Sequence, residues 1–447
     1  MSIRVTLTPT FPWLRSLALL LLFAARLLAA ETEPTAWRNW PAWRGPLATG
    51  EAPLADPPLA WSETHHVRWK VPLPGEGSGT PIVWEDRVFI TAAVPTDRPA
   101  DRPPVPDETA KTAPPANVYR FVVLCFDRAT GRPLWERVAR EGVPREGKHD
   151  TNTYASASPL TDGQRLYVSF GTQGLYCYDL EGTLLWECDL GEMRTRFGWG
   201  EGASPALGGE ILVVNWDHED DSFVIALHAR TGAELWRQPR DEPTSWATPL
   251  IVEHQGRTLA VVNATNRVRA YELETGRVVW ECGGQTVNVI PSPVADDRAV
   301  YAMSGYRGAM LAAIPLDAEG DLTGSERLLW TRHRGTPYVP SPLLYQGRLY
   351  FTAGNTSLLT CLDARTGETV FGPERLPELS NVYASPVAAA GRVYVTSREG
   401  VTTVLAAGPQ WQVLATNRLE DGFDASPAVA GTQMFLRGRS HLYCLEE

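Results

Sequence analysis

The chain has 447 residues, 43% hydrophobic and 21% charged, with a formal net charge of −11. That is ample material for a large core. An acidic chain without a basic run is poorly suited to nucleic acid or anionic lipid, and those functions are set aside.

The first element is an export signal. Arg4 and Arg15 precede the apolar run LALLLLFAA (Leu17–Ala25), and LLAA (Leu27–Ala30) ends in small residues before Glu31. This pattern predicts a signal peptide over residues 1–30, with an uncleaved anchor as the alternative. The run is too short to span a bilayer, and Arg26 interrupts it. The protein is therefore expected to be periplasmic or secreted, a cell-envelope protein with no transmembrane segment after signal removal. Residues 31–66 read as a lead-in segment and 67–447 as one domain.

Within that domain a Ser/Thr-Pro step opens an apolar run at Pro81, Pro159, Pro205, Pro249, Pro293, Pro342, Pro386 and Pro427. Successive intervals are 78, 46, 44, 44, 49, 44 and 41 residues, a period expected of propeller blades. The first interval is long because it contains PTDRPADRPPVPDETAKTAPPANV (Pro95–Val118). That stretch is Pro-rich and charged, and reads as a flexible insert. Each unit resolves into four short strands, as in SPLLYQG, RLYFTAG, SLLTCLDARTG and ETVFG. A Pro in the first strand makes it an edge strand, as the innermost strand of a blade is.

A second phrase recurs as FDRATGRPLW (Phe126–Trp135), LHARTGAELW (Leu227–Trp236), YELETGRVVW (Tyr271–Trp280) and LDARTGETVF (Leu362–Phe371), with YDLEGTLLW (Tyr178–Trp186) as a shortened copy. The acidic residue, Thr and Gly suit a tight hairpin, and the aromatic that follows suits a plug between blades. The seam residues are then Trp69, Trp135, Trp186, Trp236, Trp280, Trp330 and Phe371, with Leu414 in the seventh unit. Cys125, Cys177, Cys361 and Cys444 recur at equivalent positions, so they read as small buried hydrophobes rather than disulfides. The eighth unit runs out after three strands, and VRWKVPL (Val67–Leu73) is the strand that would complete it. The expected fold is all-β, an eight-bladed propeller of four-stranded antiparallel blades, with the last blade closed by an N-terminal strand.

These D-x-x-T-G-x-x-x-W phrases resemble those of the PQQ-binding-like, quinoprotein-type β-propeller repeat family, and the resemblance runs from about Val67 to the end. NWPAWRGP (Asn39–Pro46) is similar to the lead-in of exported members of that family. The resemblance implies the propeller fold. It leaves the function open between calcium-dependent quinoprotein dehydrogenases and the non-enzymatic propeller subunit of the outer-membrane barrel-assembly machinery.

The loops divide unevenly between the two faces of such a ring. One face carries short turns such as TDGQ, YQGR and ETGR. The other carries KHDTNTYAS, TRFGWGEGAS, NWDHEDDS, RDEPTSWAT, QTVNVIPS, SGYRG, GTPYVPS and DGFDAS, and function is expected there. The binding candidates on it are Arg196, Trp199, Glu201, Asp217, His218, Asp241, Trp246, Asn288, Tyr306, Arg307, Tyr338 and Asp424. Asp217, Glu219 and Asp221 form an oxygen-rich loop that does not match a calcium-loop spacing, and a solvated acidic face is its alternative.

No catalytic residue is assigned, because no triad, metal-type Cys/His spacing or haem motif is present. The reading is an exported scaffold that recognises an envelope protein or a small ligand, without a cofactor. Under the alternative of a PQQ- and Ca2+-dependent oxidoreductase, Glu201, Asn288 and Asp424 take the ligand and base positions. The adjacent Cys pair that family dehydrogenases place against the quinone is missing. A third reading is a carbohydrate-binding propeller that stacks sugar on Trp199 and Trp246.

Overall fold

Innermost strands with a Pro at their start and four-strand units of about 44 residues build a ring of eight blades. The computed structural model describes residues 33–447 apart from Pro103 and Pro106; the signal peptide expected over residues 1–30 lies outside the described residues. Seven sheets have four strands and one has five. The second blade is representative: Leu160–Thr161, Arg165–Ser169, Leu175–Asp179 and Leu184–Cys188 pair as an antiparallel meander. Helix among the described residues is confined to short 3-10 turns. The ring closes as the truncated eighth unit requires. Val67–Pro72 pairs antiparallel with His441–Leu445, with Trp69 opposite Cys444.

The recurrent phrase works in two halves. The Asp127 carboxylate accepts bonds from the backbone N–H and hydroxyl of Thr130, and Gly131 N–H donates to the Asp127 carbonyl. This fixes the turn. The Gly must then make room for the preceding blade's indole. Gly276 and Gly367 have φ of +72° and +74°, and an added Cβ would stand 2.6 and 2.5 Å from Trp236 and Trp330. Those positions demand Gly both for backbone conformation and for space. Five of the six seam indoles also donate across the seam: Trp236 Nε1 to the Leu273 carbonyl at 2.8 Å, and Trp69, Trp135, Trp186 and Trp330 to Arg128, Leu180, Ala229 and Ala364, whereas Trp280 Nε1 is buried without a partner. Opposite Trp135, Trp186, Phe371 and Trp69 sit Cys125, Cys177, Cys361 and Cys444, small free thiols buried against the plug.

Two seams depart from the pattern. The third turn of the fifth blade is long, and Gly320–Asp321 returns as a fifth, parallel strand on the outer edge of the fourth blade, beside Trp280. Leu316, Ala318 and Leu322 there bury Trp280 completely, in place of a Thr-Gly turn. In the seventh blade the expected plug, Leu414, is 37% exposed. The turn before it is one residue longer than in the third blade, Leu405 facing Val413 where Leu227 faces Glu234, which puts Ala415 opposite Val404, in the plug position, and turns Leu414 outward. Trp61 of the lead-in fills the gap. Its ring stacks on Tyr394 at 6.4 Å, the kind of partnership Trp186 has with Tyr167 at 6.2 Å.

The Pro95–Val118 insert is more ordered than its composition suggests. Pro95–Pro99 and Asn117–Val118 extend the central hairpin of the first blade. Lys111 N–H donates to the Phe197 carbonyl, and the Thr112 hydroxyl donates to that of Gly198. The segment thus straps the loop that carries Trp199.

Candidate functional site: a channel closed at one end

The eight Ser/Thr-Pro steps line the centre of the ring, and the hydroxyls do more than open a strand. The backbone N–H of Thr80 donates to Ser158 Oγ, Ser158 to Ser204, Ser204 to Thr248, and Thr248 to Ser292. Ser292 then donates to Ser341, Ser341 to Ser385, and Ser385 to Ser426, all at 2.8–3.1 Å across the belt. Each bond joins one blade to the next. The link from Ser426 back to Thr80 is missing, and Thr80 Oγ1 is buried without a partner. That gap falls at the junction of the last blade with the first.

The lead-in closes the channel on the short-turn face. Trp40 exchanges backbone bonds with Val83, Thr161 N–H donates to the Pro41 carbonyl, and Ala388 bonds to Gly50 and Ala52. Residues 40–52 therefore lie across the ends of several inner strands. Arg44 is buried, and its Nη2 donates to the carbonyls of Pro342 at 2.9 Å and Pro386 at 3.0 Å. Burial lowers its pKa to about 9. Trp43 forms part of the channel floor.

The other end opens among the long loops into a cavity of about 450 Å3. Trp199, Trp246, Tyr306, Tyr338 and Asp424, all singled out from sequence, line it together with Tyr383, His149 and Asn152, which were not. Tyr306 and Tyr338 stack at 4.7 Å, and the exposed Arg307 lies over Tyr306 at 5.3 Å. Trp246 Nε1 donates to the Gly200 carbonyl at 2.7 Å, which fixes its ring. Asp424 accepts from Arg398 and from Arg439. Neither a Lys nor an Arg is among the lining residues.

The remaining candidates lie elsewhere. Asp217 and Arg240 form a wholly buried ion pair at 2.6 Å, with Ser245 donating to the same carboxylate and Arg240 to the Tyr271 hydroxyl. Asp241 pairs with Arg269, which also holds the buried Glu242. His218 is buried, with Nε2 at 3.3 Å from the Asp221 carbonyl. Arg196 lies over the Phe197 ring at 5.2 Å. Asn288 is buried beside the Tyr338 hydroxyl. The acidic loop does not converge as an ion site would require: Glu219 accepts from Thr244, Asp217 is spent on Arg240, and Asp221 is exposed. No group of three or more His, Cys, Asp or Glu among the described residues is arranged to hold a metal.

Glu201 points away from the channel. It accepts from the backbone N–H and hydroxyl of Thr172 at 2.8 and 2.5 Å, in a second recess that also holds Glu146. Burial raises both carboxyls to about 7, against the bonds from Thr172 and Thr195, and Glu146 adds to the shift of Glu201. Unfolded glutamates titrate near 4.5. From there to about pH 7 the native state holds more protons than the unfolded chain, so this contribution to stability falls as pH rises. The Glu146→Gln, Glu201→Gln double variant should gain about 1–3 kcal/mol on wild type between pH 5 and pH 8. Thermal unfolding at the two pH values checks this; an unchanged difference would contradict it.

The cast of residues that quinone chemistry needs is not assembled. Glu201 lines the second recess, Asp424 lines the channel between two arginines, and Asn288 lines neither. A tricarboxylate such as PQQ would also enter a channel whose walls offer it no Lys or Arg.

No curated protein matches the chain. Among solved structures, BamB from Moraxella catarrhalis is similar with a TM-score of 0.53 and 14% identity, over 79% of this chain and 98% of that one. Quinohemoprotein alcohol dehydrogenase from Comamonas testosteroni is similar with a TM-score of 0.64 and 10% identity, over 94% of this chain and 82% of that one. At such identities the likeness is one of fold. Residues 120–373, more than half the chain, match the family model described as outer membrane protein assembly factor BamB, and the chain belongs to that family.

Proposed function

We propose that this is an exported, non-catalytic recognition propeller of the cell envelope, which takes its partner at the long-loop face. The observation that carries the reading is the difference between the two ends of the channel. The lead-in plugs one end with Trp43 and Arg44; the other presents Trp199, Trp246 and the Tyr306–Tyr338 stack around an open cavity. Aromatic rings with an adjacent Arg are common anchors of recognition surfaces. The N-terminal pattern of residues 1–30 supports export, and no helix among the described residues is long and apolar enough to cross a membrane.

Capture from an envelope extract tests the choice of face. Trp246→Ala or Arg307→Glu, checked to be folded, should abolish capture. Arg277→Glu or Arg348→Glu, on the short-turn face, should leave it intact. The reverse pattern, or capture that depends only on Pro95–Val118, would refute the reading.

A further inference from the structure

We infer that the channel is a binding site for a neutral, hydroxyl-rich ligand, the end of a short oligosaccharide. This deepens the proposal above and rests on its claim that the long-loop end is the functional one.

The first observation is the belt. Ser158, Ser204, Thr248, Ser385 and Ser426 all line the cavity. Each Oγ accepts one backbone N–H, which holds it in place, and none donates to any described residue. Ser158, Ser204, Ser385 and Ser426 are 2–5% exposed. The wall thus carries five O–H groups, four of them buried, that are anchored through their oxygens and lack acceptors among the described residues. Such groups call for a ligand rich in hydroxyl and ether oxygens.

The second observation is charge. The walls contain no Lys or Arg, and their one carboxylate, Asp424, is already bonded to Arg398 and Arg439. A multiply charged anion would lose its solvation without a counter-charge, and so would a cation. A neutral ligand avoids both costs.

The third is shape. The mouth carries flat aromatic faces, Trp199, Trp246 and the Tyr306–Tyr338 stack, which suit the C–H faces of pyranose rings. The plug at Trp43 makes the channel blind, and about 450 Å3 is the size of a small-ligand site. A chain end can enter; a polymer cannot thread through.

The test is a tryptophan-fluorescence titration of the full chain with maltotriose, cellotriose and N,N′,N″-triacetylchitotriose. At least one trisaccharide should give a saturable change in emission, with binding weakened at least tenfold by Tyr338→Ala and by Tyr383→Ala. Tyr383 lines the cavity apart from the Tyr306 stack, so the second variant guards against a folding defect in the first. The inference falls if none of the three saturates, or if binding survives both substitutions. Partner capture that Arg307→Glu abolishes, combined with no saccharide binding, would remove this inference and leave the long-loop face standing. Saccharide binding combined with capture lost only in the Arg277 or Arg348 variants would keep the channel as a ligand site at the long-loop end and refute that face as the one that takes the protein partner.

Discussion

Replacing Trp69 with Ala is expected to cost about 3–5 kcal/mol, the range for large-to-small changes at buried aromatics. Trp69 is 8% exposed, its Nε1 donates to the Arg128 carbonyl at 2.9 Å, and its ring rests on Phe435 and over Gly131. The substitution removes the plug from the one junction where chain ends are joined. This junction also lacks the hydroxyl link between Ser426 and Thr80, so it has less to fall back on than the others. Denaturant unfolding should show a lower midpoint for Trp69→Ala, and a greater loss when Val67–Pro72 is deleted, because the His441–Leu445 strand then becomes an open edge. An unchanged midpoint in both variants would contradict closure by the N-terminal strand.

Asp217→Asn should be about as damaging, at about 3–5 kcal/mol, for an electrostatic reason. Both side chains of the Asp217–Arg240 pair have zero exposure. Removing the negative charge leaves a buried guanidinium that bonds to the Tyr271 hydroxyl and an amide, with Glu242, already shared with Arg269, as its remaining counter-charge. Breaking a buried pair costs more than the pair contributes, because the orphaned charge stays desolvated. The Asp217→Leu, Arg240→Met double variant should therefore recover much of what Asp217→Asn loses, as measured by unfolding midpoints. A double variant less stable than the single one would mean that the ladder of Arg240, Glu242 and Arg269 acts as one unit.

Asp217 illustrates where a linear reading stops. Its neighbours His218, Glu219 and Asp221 suggest an oxygen-rich loop, but its partner is Arg240, on the following connection, and only folding shows that the two charges meet inside. Glu201 is a similar case, since its acceptor sites are filled by Thr172, on another blade. The ring itself was legible because it is local and repeated. The Thr-Gly turn, the Trp after it and the Pro before each unit lie within one period of one another, and the shortfall of the last unit announced the strand at Val67. Leu414 was misplaced because the seventh blade's turn runs one residue longer: Leu405 faces Val413, eight positions on, where Leu227 faces Glu234, seven positions on, and a one-residue change moves a side chain to the other face of a strand. The lead-in's role was not legible at all. Arg44 bonds to Pro342 and Pro386, and Trp61 stacks on Tyr394, contacts some 300 residues apart that no spacing rule reaches. The Ser/Thr belt was within reach, since a hydroxyl residue precedes the Pro in all eight units.

Mixing the purified protein with PQQ and Ca2+, followed by gel filtration, separates recognition from redox chemistry most directly. With the Lys- and Arg-free channel wall, Glu201 turned to Thr172 and Asp424 held by two arginines, the account predicts protein that elutes free of quinone absorbance and shows no dye-linked alcohol oxidation. Stoichiometric retention of the quinone with alcohol turnover would contradict it, and would make the channel an oxidoreductase site.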